Sequence, residues 1–101
     1  MEPDDNDTDM RGELLDERIE FTFIELCHAC RAEQSLIEEL VEEGFVEPQG
    51  AAPDEWRFSG FAVARVRRVL RLQREFEINL HGALLAFDLL EEIERLRRRH
   101  G

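Results

Sequence analysis

Four carboxylates stand at Glu38, Glu39, Glu42 and Glu43, inside a stretch from Gln34 to Pro48 that holds no basic side chain. Clustered carboxylates can shuttle protons, hold a hard cation, or present negative charge to a cationic partner. At helical spacing Leu36, Ile37, Leu40 and Val41 turn inward while the four glutamates cover the other side. The carboxylates are too many and too solvent-facing to single out a catalytic pair. The sequence holds no glycine-rich phosphate loop, no HExxH, and no nucleophile beside a base with an orienting third group. The chain therefore reads as a binding protein and not an enzyme.

A second candidate for chemistry is Cys27-His28-Ala29-Cys30. A structural zinc site needs four ligands, and His81 and His100 stand in separate places without paired spacing. A c-type haem box requires His directly after the second Cys, where this chain has Arg31. Two cysteines make no disulfide framework and suit a reducing compartment. We read both as buried packing residues, with redox or metal roles as the alternative and Cys27 at the centre of the apolar face. The sequence calls for no cofactor and no metal.

The arginines are the third group. Arg65, Arg67, Arg68, Arg71 and Arg74 spread over a wide arc of one helix instead of forming a stripe. They read as a solvated face with intramolecular partners in the acidic front half, or as phosphate contacts. Charge weighs against the second reading, which needs the acidic second helix to face elsewhere. Residues 1–56 carry 18 Asp and Glu against 3 Arg, and residues 57–101 carry 10 Arg against 6 acidic residues, within a total of -11. Phosphate neutralisation supplies most non-specific affinity for nucleic acid, so the front half repels it and a basic protein is the more natural partner. Trp56 reads as core packing, or as an aromatic anchor for that partner.

These groups need elements to position them. At 101 residues the chain suits one domain with a modest core. Residues 1–17, acidic and poor in aromatics, read as a disordered tail, and residues 18–101 as a single helical domain. The tail has neither the basic start nor the apolar centre of a secretory signal. No run of 18 apolar residues is present, so we expect a soluble, cytoplasmic protein without membrane contact.

Arg18 to Thr22 alternates apolar and polar residues as a brief strand or extended lead-in, with Thr22 placed to cap a helix over 23–30. A second helix starts at Gln34 or Ser35 and stops at Gly44, a residue free to take positive φ. Phe45/Val46 and Trp56/Phe58 bracket a segment rich in turn residues and suggest a small hairpin or wing. Ser59 caps a third helix running to about Phe76, with Phe61, Ala62, Val66, Val69, Leu70 and Leu72 among its apolar positions.

Asn79 caps a fourth helix from Leu80 to about Arg99. It carries one stripe of Leu80, Ala83, Leu84, Phe87 and Leu90 and a second of Ala86, Leu89, Ile93 and Leu96. The first can close the core. The second exceeds what a small monomer needs and reads as a dimer seam, in the manner of a short antiparallel coiled coil. Glu91 with Arg95 and Glu94 with Arg98 are four-residue pairs in the favourable orientation.

The order of helix, turn, acidic helix, glycine, wing ending in Trp56-Arg57-Phe58-Ser59, long helix, short link and long helix resembles the MerR-type winged helix-turn-helix, an all-α fold with a small wing and a long C-terminal helix. From Phe21 to about Leu96 the chain further resembles the CbpM family of chaperone modulators. The matching residues are Phe21-Thr-Phe-Ile-Glu-Leu-Cys27, Gly44-Phe-Val-Glu-Pro48, Trp56-Arg-Phe58, Ala64 to Phe76, and Gly82 to Leu96. The chain departs from that pattern in its acidic front tail and in the length of its last helix.

The resemblance implies a protein that binds the J-domain of a CbpA-type co-chaperone; joined with the seam of the fourth helix, the reading is a homodimer that hinders stimulation of DnaK by occluding the shared surface. J-domains carry a basic helix beside their His-Pro-Asp loop. The second helix occupies the place from which a MerR-type protein reads DNA, where Arg, Lys, Asn or Gln would meet bases and phosphates. Carboxylates there point instead to the J-domain, with Glu38, Glu39, Glu42, Glu43 and Trp56 as candidate contacts. A MerR-like DNA-binding transcription regulator is the alternative.

Overall fold

A computed structural model of the chain describes residues 19–100. The acidic segment expected to be a disordered tail, residues 1–17, lies outside them. The described chain is mostly helical, with four helices and one small antiparallel sheet: β1 (Glu20–Thr22), α1 (Phe23–Cys30), α2 (Gln34–Glu42), a 3-10 turn (Pro53–Glu55), β2 (Arg57–Ser59), α3 (Gly60–Phe76) and α4 (Leu80–His100).

Local chemistry sets the helix ends. Thr22 caps α1 with a reciprocal box: its hydroxyl accepts from the Glu25 amide at 3.1 Å, and its own amide donates to the Glu25 carboxylate at 2.9 Å. Arg31 closes α1 in the left-handed region, φ 55°. Helix α2 ends in a Schellman motif, in which Gly44 at φ 81° donates to the Val41 carbonyl and Phe45 to the Leu40 carbonyl, each at 3.0 Å. Ser59 accepts from the Ala62 amide at the start of α3, and Asn79 from the Gly82 amide at the start of α4.

The described residues fall into two compact units, one running to Val66 and the other starting at Arg67. In the first unit the two strands pair in the register Glu20 with Ser59, Phe21 with Phe58 and Thr22 with Arg57. Its buried side chains include Phe23, Leu26, Cys27 and Cys30 of α1, Ile37 and Leu40 of α2, then Phe45, Val46, Phe58, Val63 and Val66. In the second unit Val69, Leu70, Leu80, Ala83 and Phe87 are buried.

Three expectations change. Phe45 and Val46 form no strand facing Trp56 and Phe58. The Schellman turn buries both, and the segment closes at a single bridge, Gln49 with Arg57, through two hydrogen bonds of 2.9 Å. Strand β2 pairs with β1 instead. Phe61, counted among the apolar positions of α3, is exposed, whereas Val63 is fully buried. Leu90, grouped with the core stripe of α4, is also exposed, because the buried part of that stripe ends at Phe87.

Candidate protein-docking site

Helix α2 is nine residues long and amphipathic, with Ile37 and Leu40 fully buried. At 100° per residue, these anchors turn Glu38, Glu42 and Glu43 to solvent and leave Glu39 half-buried. The four carboxylates sequence reasoning selected thus share one end of one helix. Their arrangement opposes the helix they stand on. Glu38 with Glu42 and Glu39 with Glu43 are like-charge pairs four residues apart, and Glu42 and Glu43 lie at the negative end of the helix dipole. The last turn of α2 carries no basic residue, and Glu33 at its N-cap makes no side-chain cap. The helix is held by its buried anchors and by its glycine cap.

Support also arrives from α3. Arg65 donates through Nε to the Phe45 carbonyl at 3.3 Å, and its guanidinium lies 4.5 Å from the centroid of the Phe45 ring. It thereby sets a cation just past the acidic end of α2. The sequence reads Arg65 as one of a set of solvated arginines with intramolecular partners in the acidic front half, and Phe45 lies in that half, although the contact is to a ring and a carbonyl. No local pattern marks a partner twenty positions away. In the second unit the Arg68 guanidinium lies 5.6 Å from the centroid of the Phe87 ring.

Trp56 is half-buried, in an aromatic cluster with Phe23 at 5.2 Å and Phe58 at 5.8 Å between ring centroids. Cys27 and Cys30 are free thiols and equally buried, and the Cys30 thiol lies 3.8 Å from the Val63 carbonyl oxygen. Burial raises the Cys27 pKa above the ordinary thiol value, with a smaller contribution from the charge of Glu38. Among the described residues no three His, Cys, Asp or Glu side chains are grouped so as to hold a metal ion.

On α4 the stripe proposed as a seam begins half-buried at Ala86 and continues exposed at Leu89 (55%), Ile93 (47%) and Leu96 (41%). Leu85 and Leu90 are exposed as well, and every side chain from Asp88 to Arg99 faces solvent. Sequence reasoning did not single out Leu85, although its position one residue before Ala86 flanks the stripe. Arg95 pairs with Glu92, three residues before it. Among the described residues no helix is long and apolar enough to cross a membrane.

Comparison with known proteins gives this arrangement a family. A model described as MerR HTH family regulatory protein matches residues 21–100. Chaperone modulatory protein CbpM of Pseudomonas entomophila (strain L48) is 39% identical over 72 residues, covering 71% of each chain. That of Coxiella burnetii (strain Dugway 5J108-111) is 31% identical over 90 residues, covering 89% of this chain and 85% of the relative. A third relative of the same name, from Pseudomonas putida (strain W619), is 39% identical over 72 residues. The chain therefore belongs to the MerR-type helix-turn-helix family and, within it, to the CbpM family.

Proposed function

We propose that the protein is a non-enzymatic, cytoplasmic chaperone modulator that binds the J-domain of a CbpA-type co-chaperone. By covering the basic surface that DnaK must engage, it lowers stimulation of DnaK. Residues 18–101 act as one functional domain in this reading. The observation that carries it is the carboxylate face of α2: four glutamates, two like-charge pairs and no basic residue in the last turn. A cationic partner is matched to that face by charge. Such complementarity speeds encounter and selects the partner, so affinity falls as salt rises.

Dimerisation is the second part of the proposal. Ala86, Leu89, Ile93 and Leu96 recur at steps of three, four and three, the spacing of a two-heptad seam. The segment from Asp88 to Arg99 has no buried side chain, and an isolated helix of that length is marginal in water. A second copy, packed antiparallel, supplies the missing surface.

The test is titration with the purified cognate J-domain at low ionic strength. Saturable binding that weakens with salt is expected; no binding at low salt removes the reading. The MerR-type frame keeps DNA regulation as the alternative, and a gel shift with duplex DNA at low salt separates the two.

A further inference from the structure

We infer that Arg65 is a positioning residue for the acidic face of α2, holding the docking surface in its binding shape before the partner arrives. The inference rests on the proposed J-domain docking. Helix α2 lacks a cation of its own in its last turn, has no side-chain N-cap, and carries Glu42 and Glu43 where the helix dipole disfavours them. Its end is fixed by Gly44 and Phe45, and Phe45 is where Arg65 acts. One guanidinium covers the ring at 4.5 Å and reaches the carbonyl at 3.3 Å. The planar fork does both at once; a lysine ammonium can meet the ring or the carbonyl but has no plane to lay on the ring. Ordering the last turn of α2 in the free protein removes an entropy cost from binding.

The prediction runs against simple charge counting. Arg65→Met takes a positive charge away from the acidic face, which by electrostatics alone strengthens attraction to a basic J-domain. A positioning role demands the opposite. In the full-length chain, hydrogen exchange of the Glu43, Gly44 and Phe45 amides, whose acceptors are Glu39, Val41 and Leu40, is expected to speed up about tenfold in Arg65→Met, with α4 amides unchanged. The J-domain is expected to dissociate about tenfold faster. Arg65→Lys, which keeps the charge, falls between Met and wild type on both measures.

Unchanged exchange at these three amides overturns the clamp, whatever the J-domain does. Faster exchange spread equally through α4 overturns it too, since that is general destabilisation. Tighter binding by Arg65→Met overturns the positioning role. A wild-type chain that binds no J-domain overturns the functional reading and, with it, the docking role, while the exchange measurement still reports on the clamp by itself.

Discussion

The ring of Trp56 packs 5.2 Å from that of Phe23 at an interplanar angle of 58°, tying the approach to β2 against the first turn of α1. Phe58 meets the indole edge-on, at 87°. Such pairs contribute about 0.5–1.5 kcal/mol each beyond the area they bury. Because Trp56 is half-buried, Trp56→Ala is expected to cost about 2 kcal/mol in urea unfolding, below the range for fully buried aromatics. Trp56 is also the single tryptophan of the chain, so its emission is a clean reporter. A shift on adding J-domain is expected from its place among the proposed contacts; unchanged emission at saturation takes it off the docking surface.

Replacing Glu38, Glu39, Glu42 and Glu43 together by Gln is expected to move stability and affinity in opposite directions. Removing two like-charge pairs and the clash with the helix dipole raises stability by about 1 kcal/mol. Affinity for the J-domain falls by about tenfold and loses most of its salt dependence. Thermal melts and titrations at two ionic strengths check both halves. An affinity equal to wild type means that the carboxylates do not touch the partner.

Two glycines at positive φ separate backbone strain from steric room. At Gly44, φ 81°, an added Cβ meets nothing within 4 Å, so Gly44→Ala costs only the left-handed penalty, about 1–2 kcal/mol. At Gly50, φ 115°, the same Cβ lies 2.5 Å from the Glu55 carbonyl oxygen. Gly50→Ala is therefore expected to cost clearly more, about 3 kcal/mol, in chemical denaturation.

Leu89→Ser with Ile93→Ser is expected to convert a dimer to a monomer in analytical ultracentrifugation. Both side chains are already about half exposed in the single chain, so its core is untouched. Circular dichroism should also lose helix, because the segment beyond Phe87 then has no apolar partner. A wild-type chain that sediments as a monomer at high concentration rules out the seam.

Cys27 gives a pH signature. Its folded-state pKa is raised, chiefly by burial and further by Glu38, so the folded chain keeps the thiol proton where the unfolded chain loses it. The contribution to stability is thus complete below the unfolded thiol pKa, about 8.5, and declines as pH rises from there through the folded value. Urea midpoints measured between pH 7 and pH 10 should fall more steeply for the wild type than for Cys27→Ala. Equal slopes refute the assignment.

Much of this protein was legible without coordinates wherever the governing interactions are local. Thr22 with Glu25, Ser59 with Ala62, and Asn79 with Gly82 lie three positions apart, so composition alone places those helix starts. The acidic face followed equally from periodicity: with Ile37 and Leu40 inward, the glutamates have to share the outside.

Tertiary structure decided what depends on distant residues competing for the same burial. Phe45 and Val46 looked like a strand end, but the core took them, and β2 found its partner far earlier in the chain, with Phe21 opposite Phe58. Leu90 fits the core stripe of α4 by period, yet burial stops at Phe87. Arg65 was expected to find a partner in the front half, but only packing makes that partner Phe45. Helical period says which side chains share a face. Only packing says how far along that face the core extends, and which cation reaches the end of which helix.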